Sequence, residues 1–544
     1  MRNLRKIIFS IITGSLLSFF YVAGYYLDRY DSLNLLDAGL YLKLILVTVL
    51  MSGLVYVLWT VVAGRKSKLT CQGNPVSGKL GRVLSFVTSH WGIVVILMLC
   101  WLPTLLSLFP GVFSYDAHQE WSEIQSGMIT SHHPVIHVIL LGGLVEGFYQ
   151  LTGNYNLGMA IYSVLQMFVL ANMLAWTVGY LKEFGISIKW RVFAVAFYCL
   201  SPVVKLFSVC ATKDVIFAGA ELLFVMLLVF FFCRREAFFA SKKKKIGFVI
   251  AALATMIFRN NGLYIVIVML AVMLVSCKSY WKKFMLLLLP IAICYGIYIG
   301  PFYRLLSVTP GGVQEMLSVP IQQMARVYNY DYESLEMQDV ELLYQILPKE
   351  NLEAYRSTVS DFVKCGFNQQ AFGENKKDFF ELWIKWGVKH PLTYINSFLV
   401  GTVDFWYPHA IIDGYKDVYG KSSYFDYKVD KPGEEIVLLP QLHEWYEYLS
   451  WDKDAQKVPF IFLLLSPGWY FVVFVVVFMY LWCCGKKKLV MPLLTLLFSM
   501  LTLLLGPIAL VRYVLILYFI FPVLLTMFVH PEHYISISHE RNAE

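Results

Sequence analysis

Long apolar runs recur from near the first residue of this chain to near the last, and no other feature restricts its fold as much. With 58% of residues hydrophobic and 15% charged, these runs belong in a bilayer, where the backbone must satisfy its own hydrogen bonds. A helix crosses with about 20 apolar residues, fewer where it is broken or packed inside a bundle. By that measure Ile7–Leu27, Leu40–Ala63, Gly92–Leu108, Gly158–Leu181, Val192–Ser208, Val215–Phe232, Ile246–Phe258, Leu263–Cys277, Phe284–Gly300, Pro459–Trp482, Leu489–Leu505 and Leu510–Val529 predict an all-α polytopic membrane protein. That makes about 12 transmembrane helices. The first run follows Arg2, Arg5 and Lys6 as a secretory signal would, but it is long and lacks a small-residue cleavage site, so it reads as a retained span.

The basic residues set the orientation. The net charge of +8 sits in short clusters between apolar runs, where the excess of lysine and arginine on cytoplasmic loops accounts for it without a nucleic-acid partner. With a cytoplasmic N-terminus, Arg65/Lys66/Lys68, Lys182/Lys189/Arg191, Arg234/Arg235 with Lys242 to Lys245, Lys278/Lys282/Lys283 and Lys486 to Lys488 all fall inside. Both termini are then cytoplasmic in a multi-pass plasma-membrane protein. If the run Pro134–Gln150 also crossed, everything after it would invert, so it is expected to lie at the outer interface instead. The chain divides into two N-terminal helices with a cytoplasmic loop (1–91), a transmembrane core (92–300), a small extracytoplasmic domain (301–457) and C-terminal helices with a tail (458–544). Ten cysteines are scattered without a C-x-x-C pair, which argues against a disulfide or zinc framework.

The stretch Pro110 to Pro134 interrupts the apolar pattern with Asp116, His118, Glu120, Glu123, His132 and His133. Charges clustered beside a bilayer usually mark a site. Asp116 has two readings: a general base taking a proton from a hydroxyl, or the cap of a helix over Ala117–Gln125. The His132-His133 pair beside carboxylates could hold a divalent ion, but adjacent helical residues point about 100° apart, and no D-x-D motif accompanies them. The favoured reading has no metal, with one histidine hydrogen-bonding Asp116 or a substrate oxygen.

Lys213-Asp214 opens a span on the outer side, against the inside bias of lysine, and calls for a partner in Asp214 or in an anionic ligand. Glu221, on the same helix face, reads as paired with a neighbouring helix. Arg259-Asn260-Asn261-Gly262 is a tight turn by composition. Its arginine, like Arg512 at the last span, stands at the outer end of an apolar helix with donors suited to phosphate oxygens; for both, the alternative is snorkelling to headgroups.

Phe113-Ser114-Tyr115-Asp116, Ser131-His132-His133-Pro134, Lys213-Asp214, Arg259-Asn260-Asn261-Gly262, Pro320-Ile321-Gln322-Gln323, Trp406-Tyr407-Pro408 and Arg512-Tyr513 together resemble the GT-C superfamily of membrane glycosyltransferases. They resemble still more closely a family of bacterial multispanning proteins of unknown function placed beside it. The resemblance covers roughly Gly92 to Val529, with Asp116 and Asp214 at the positions of the two acidic residues that GT-C enzymes carry in successive outer loops. It implies a sugar moved, with inversion, from a polyprenyl-phosphate donor to an envelope glycan, lipid or protein acceptor. No cofactor is implied, because no D-x-D of metal-dependent members stands in the loops of Asp116 and Asp214. The candidate catalytic residues are Asp116, Asp214 and His133, and the donor phosphate falls to Lys213, Arg259 and Arg512. Tyr115, Glu120, His132, Asn260, Asn261, Gln322, Gln323, Trp406 and Tyr407 are candidates for substrate binding.

Three other functions stay open. A transporter or flippase of lipid-linked or polar substrates would place charges near the bilayer midplane, usually with internal repeats; here the charges gather at one face and no repeat is visible. A non-catalytic scaffold in envelope assembly would act through the extracytoplasmic domain, which carries no distinctive motif. An acyltransferase using His132 or His133 is the last.

Overall fold

A computed structural model describes residues 2–65, 78–113, 116–410, 432–451, 455 and 457–535. Among them helices dominate and no strand forms, only isolated bridges such as Val112 with Cys210. The first helices are α1 (Arg2–Tyr30), α2 (Ala38–Arg65), α3 (Gly78–Val87), α4 (His90–Ser107), α5 (Ala117–Ser126), α6 (Val135–Thr152) and α7 (Tyr155–Glu183). They continue with α8 (Ile188–Leu200), α9 (Pro202–Ser208), α10 (Lys213–Cys233), α11 (Arg235–Ala240), α12 (Lys242–Phe258), α13 (Gly262–Ser276) and α14 (Trp281–Ile297). Local chemistry sets several starts: Ser89, Asn154 and Thr212 accept from backbone N–H groups at the heads of α4, α7 and α10. Ser201-Pro202 ends α8 and starts α9 at a bend of 61°.

Among the described residues eight helices are long and apolar enough to cross a membrane, nine if α8 and α9 form one broken span. The chain is therefore a multi-pass membrane protein, but the expected twelve spans are not reached by this measure. α12, α13, Pro467–Cys483 and Lys487–Leu503 have only 15 to 17 residues, about 23 to 26 Å of helix against a hydrocarbon core of about 30 Å.

The bundle is built around α10, in which every residue from Asp214 to Cys233 is buried. It packs against α7, α12, Lys487–Leu503 and Leu515–Val529, and an element enclosed on all sides can be apolar all round. By contrast only 11% of α2 is buried, and it packs on α1. At one end of the bundle the basic clusters gather: Lys244 pairs with Glu183 at 2.6 Å, Lys486 with Glu532 at 3.6 Å, and Arg5 donates to the Trp482 carbonyl at 2.7 Å. The heads of α10 and α13 lie at the opposite end, beside the Asp116 loop.

α6 is among the helices long enough to cross, yet both its ends lie at the Asp116 end of the bundle. His133, just before it, contacts Lys213. Just after it, Asn156 bonds to the backbone of Glu434, whose neighbour Ile436 donates to the Phe109 carbonyl at 2.8 Å. Asp116 and Lys213 meet with α7 and the α8–α9 pair as the two passes between them, and a third pass through α6 would put them at opposite ends. Reporter fusions after Lys245 and after Glu350 are accordingly expected to report opposite sides of the membrane; a common side would require redrawing these passes.

The polar region has a core of its own, in which Ile321, Met324, Leu343, Phe379 and Trp386 are buried. Its helix Pro391–Trp406 packs both on Ser318–Tyr330 of that core and, in the bundle, on α1 and Pro467–Cys483, so the expected domain of 301–457 is not separate along its whole length. The join depends on close approach: a Cβ on Gly468 would lie 2.3 Å from the Tyr407 carbonyl oxygen. Gly468→Ala is expected to destabilise the protein by about 1–3 kcal/mol, the usual cost of overpacking. A thermal melt of the detergent-solubilised protein measures this, and an unchanged midpoint would mean the helix backs away freely.

Candidate functional site

The head of α10 is the centre of a charged cluster that folding assembles from five separate parts of the sequence. Asp116 stands at the N-terminus of α5, but its side chain makes no capping hydrogen bond. Its carboxylate turns instead to Arg512, whose Nη1 donates to Oδ2 at 2.9 Å and Nη2 to Oδ1 at 3.3 Å, and to Lys213, whose Nζ donates to Oδ2. Of the two sequence readings, the helix cap therefore falls. Asp214, fully buried, accepts from Arg259 Nη1 at 2.7 Å and from the Thr212 hydroxyl at 3.1 Å. Arg512 Nη1 also lies 3.5 Å from Asp214 Oδ2, so one guanidinium bridges both aspartates. Tyr513 holds the two arginines together: Arg512 donates to its hydroxyl at 3.2 Å, and the Arg259 and Arg512 guanidinium carbons lie 4.2 and 4.8 Å from its ring centre.

Around Lys213 Nζ stand Asp116, Glu120 with Oε1 at 3.7 Å and His133 with Nδ1 at 3.3 Å. Burial pushes the Asp116 carboxyl up, but Arg512, Lys213 and His133 together hold it well below the usual carboxylate range. For Glu120 likewise burial acts upward and is outweighed by His137 and Lys213. Burial and the Lys213 charge push His133 down to about 4, leaving it neutral near pH 7. Asp116, Glu120 and His133 present ligand atoms within 4.8 Å of one another, a set that suits a divalent cation. The Lys213 ammonium points into that set, so a cation there would have to displace it.

Folding that keeps His133 neutral contributes stability that is complete above about pH 6.5 and is lost as pH falls toward 4, because the unfolded chain then binds the proton more readily. The melting temperature is expected to fall across that window, and more shallowly in His133→Gln. Matching profiles for the two proteins would exclude His133 as the titrating group.

Residues 124–542 match the model of a family of unknown function (DUF6020). The chain belongs to that family. No curated protein and no solved structure matches it significantly. The DUF6020 region takes in His133, Lys213, Asp214, Arg259 and Arg512 but begins after Asp116 and Glu120, which the fold brings to it.

A hydrogen-bonded chain behind the cluster escaped the sequence reading. His137 bridges Glu120 and the Tyr162 hydroxyl, the latter at 2.7 Å. Tyr162 donates to Gln166 Oε1 at 2.9 Å, and Gln166 Nε2 faces the carbonyls of Phe207, Ser208 and Cys210. The chain ends on backbone, so it positions Glu120 and the turn that presents Lys213. Spacing gave no signal, because His133 precedes the non-helical Pro134 and only His137 stands on α6; the fold brings both rings to α5.

The other candidates divide. Asn260 donates to the Ser131 carbonyl at 3.3 Å and Asn261 to the Thr502 hydroxyl at 2.8 Å, tying the Arg259 turn to its neighbours. His132 is exposed, with its ring on His133 at 4.4 Å. Tyr115 lies outside the described residues. Gln322 and Gln323 belong to helix Ser318–Tyr330 and bond to the carbonyls of Arg356 and Tyr394, not to the cluster. Trp406 stacks on Phe19 at 5.5 Å, and Tyr407 packs against Gly24 and Gly468. Both are packing residues of the join with α1, because large apolar rings beside a close helix contact fill space there.

Proposed function

We propose that this protein is a GT-C-like membrane glycosyltransferase that moves a sugar from a polyprenyl-phosphate donor to a cell-envelope acceptor on the extracytoplasmic side, with the four shorter helices completing twelve spans. One observation carries the reading: Lys213, Arg259 and Arg512 converge on two aspartates at the same end of an apolar bundle. Cations that already bind carboxylate oxygens suit phosphate oxygens by charge and geometry. With a donor bound, Arg512 and Lys213 would share their N–H groups between its phosphate and Asp116, and Asp116 would regain basicity. The acceptor hydroxyl oxygen then bonds to the anomeric carbon from the face opposite the phosphate. The bond from that carbon to the phosphate oxygen breaks, the electron pair goes to the phosphate, and the hydroxyl proton goes to Asp116. The cations stabilise the charge that grows on the leaving oxygen.

A second reading, transport, is favoured by Glu221, which is buried inside α10 with Ser499 at 3.4 Å from Oε2 and no hydrogen-bond partner at Oε1. Proteoliposomes loaded with polyprenyl-phosphate sugars and envelope acceptors separate the two. Glycosylated acceptor is the expected product; movement of the lipid-linked sugar across the bilayer without transfer would favour the transporter.

A further inference from the structure

At the basic end of the bundle Lys244, Lys486 and Arg5 each reach an acceptor, but a second group of cations there does not. α11 packs on α12, and α12 packs on α14, so the heads of these three helices stand together. They carry Arg235, Lys242, Lys243, Lys278, Lys282 and Lys283, and among the described residues none of these pairs with a carboxylate. Glu236, the carboxylate nearest in sequence, is exposed and joins none of them. Tyr280 gathers two of the cations: the Arg235 guanidinium carbon and Lys283 Nζ lie 5.2 and 5.4 Å from its ring centre. That ring stacks in turn on Phe239 at 5.8 Å. Cations in a first turn oppose the helix dipole, and neither α12 nor α14 has an acidic residue there, so helix stability does not account for this charge.

Beyond the cations the same helices are apolar and open. On α12, Ile246 and Ile250 follow Lys242 at four-residue steps, each 60% exposed. On α14, Leu286 and Leu289 follow Lys282 along one face at 70% and 56% exposed. Each face therefore complements an amphiphile, with a cation at headgroup level and aliphatic side chains along the acyl region. We infer that the heads of α11, α12 and α14 bind an anionic phospholipid of the adjoining leaflet, its phosphate among Arg235 and the lysines and its chains along α12 and α14. Basic sites between membrane helices hold such headgroups. A free phosphate would use the cations and leave the apolar faces unused, and lysines that merely snorkel need no arginine gathered with them on one ring. The inference is independent of the glycosyl-transfer reading.

Native mass spectrometry of the full-length protein in detergent tests the site, with phosphatidylglycerol, phosphatidylcholine and inorganic phosphate as probes. Wild type is expected to hold phosphatidylglycerol about tenfold more tightly than phosphatidylcholine, or better, and not to exchange it for inorganic phosphate. Arg235→Gln with Lys283→Gln should weaken phosphatidylglycerol binding about tenfold or more. Lys242→Gln with Lys282→Gln alters only exposed side chains and should weaken it as well, which keeps the test open if the first pair fails to fold. Arg5→Gln with Lys486→Gln removes as much charge at the same end, from residues that already have acceptors, and should leave binding unchanged. Thermal melts establish which variants are folded. The inference is overturned if phosphatidylcholine binds as tightly, if inorganic phosphate displaces the lipid, if the folded site variants bind as wild type does, or if the Arg5 and Lys486 pair loses as much affinity as they do.

Discussion

Asp116→Asn is expected to leave a folded protein that transfers sugar about 10²–10⁴-fold more slowly, the loss typical of removing a general base. Asparagine keeps the shape of the side chain and one accepting oxygen for Arg512 or Lys213, but that oxygen cannot take a proton. The charge it removes is partly compensated in place: Arg512 retains Asp214 at 3.5 Å, and Lys213 retains Glu120 at 3.7 Å. The fold should therefore tolerate the change better than the chemistry does. Transfer in membranes, normalised to the amount of folded protein, is the measurement. Full activity in a well-folded Asp116→Asn protein would remove Asp116 as the base, and Glu120, the other carboxylate beside Lys213, would be the next residue to replace.

Arg512→Ala is expected to act on stability as well as turnover. Its guanidinium is 6% exposed and serves both aspartates, and removing one partner of a buried ion pair commonly costs about 3–5 kcal/mol. Donor binding, stabilisation of the leaving phosphate, or both should also weaken, because a phosphate loses a cation in either state. Arg512→Lys separates these effects: it keeps the charge but not the paired geometry, so stability should recover in part while transfer stays low. The pH dependence gives an independent sign. In the native protein Asp116 titrates below its ordinary 3.8, so its ion pairs contribute stability above that value and lose it as pH falls through the native one. Without Arg512 the upward push of burial gains ground, and the gap in melting temperature between Arg512→Ala and wild type should narrow on acidification. A gap that stays constant as pH falls below 3.8, through the range in which native Asp116 takes up its proton, would mean that Arg512 does not hold the Asp116 charge.

The sequence by itself determined the all-helical membrane class, because a polar backbone in lipid leaves an apolar run few alternatives. It also picked out most of the charged cluster: Asp116, Lys213, Asp214, Arg259 and Arg512 are costly beside a bilayer wherever they stand in the chain, and cost is visible without coordinates. What it did not contain was which charge meets which. The pairing of Asp116 with Arg512 joins residues 396 apart, and it forms because Val112 pairs with Cys210 just before α10, while α10 and Leu515–Val529 pack side by side with their leading ends together. That pairing decided against a helix cap for Asp116. Trp406 and Tyr407 were site candidates only through the resemblance of their motif, and the packing of Pro391–Trp406 on α1 makes them part of the core. The same reason separates Gln322 from the cluster: short motifs carry residue types, while distance between them is set by the helices that intervene.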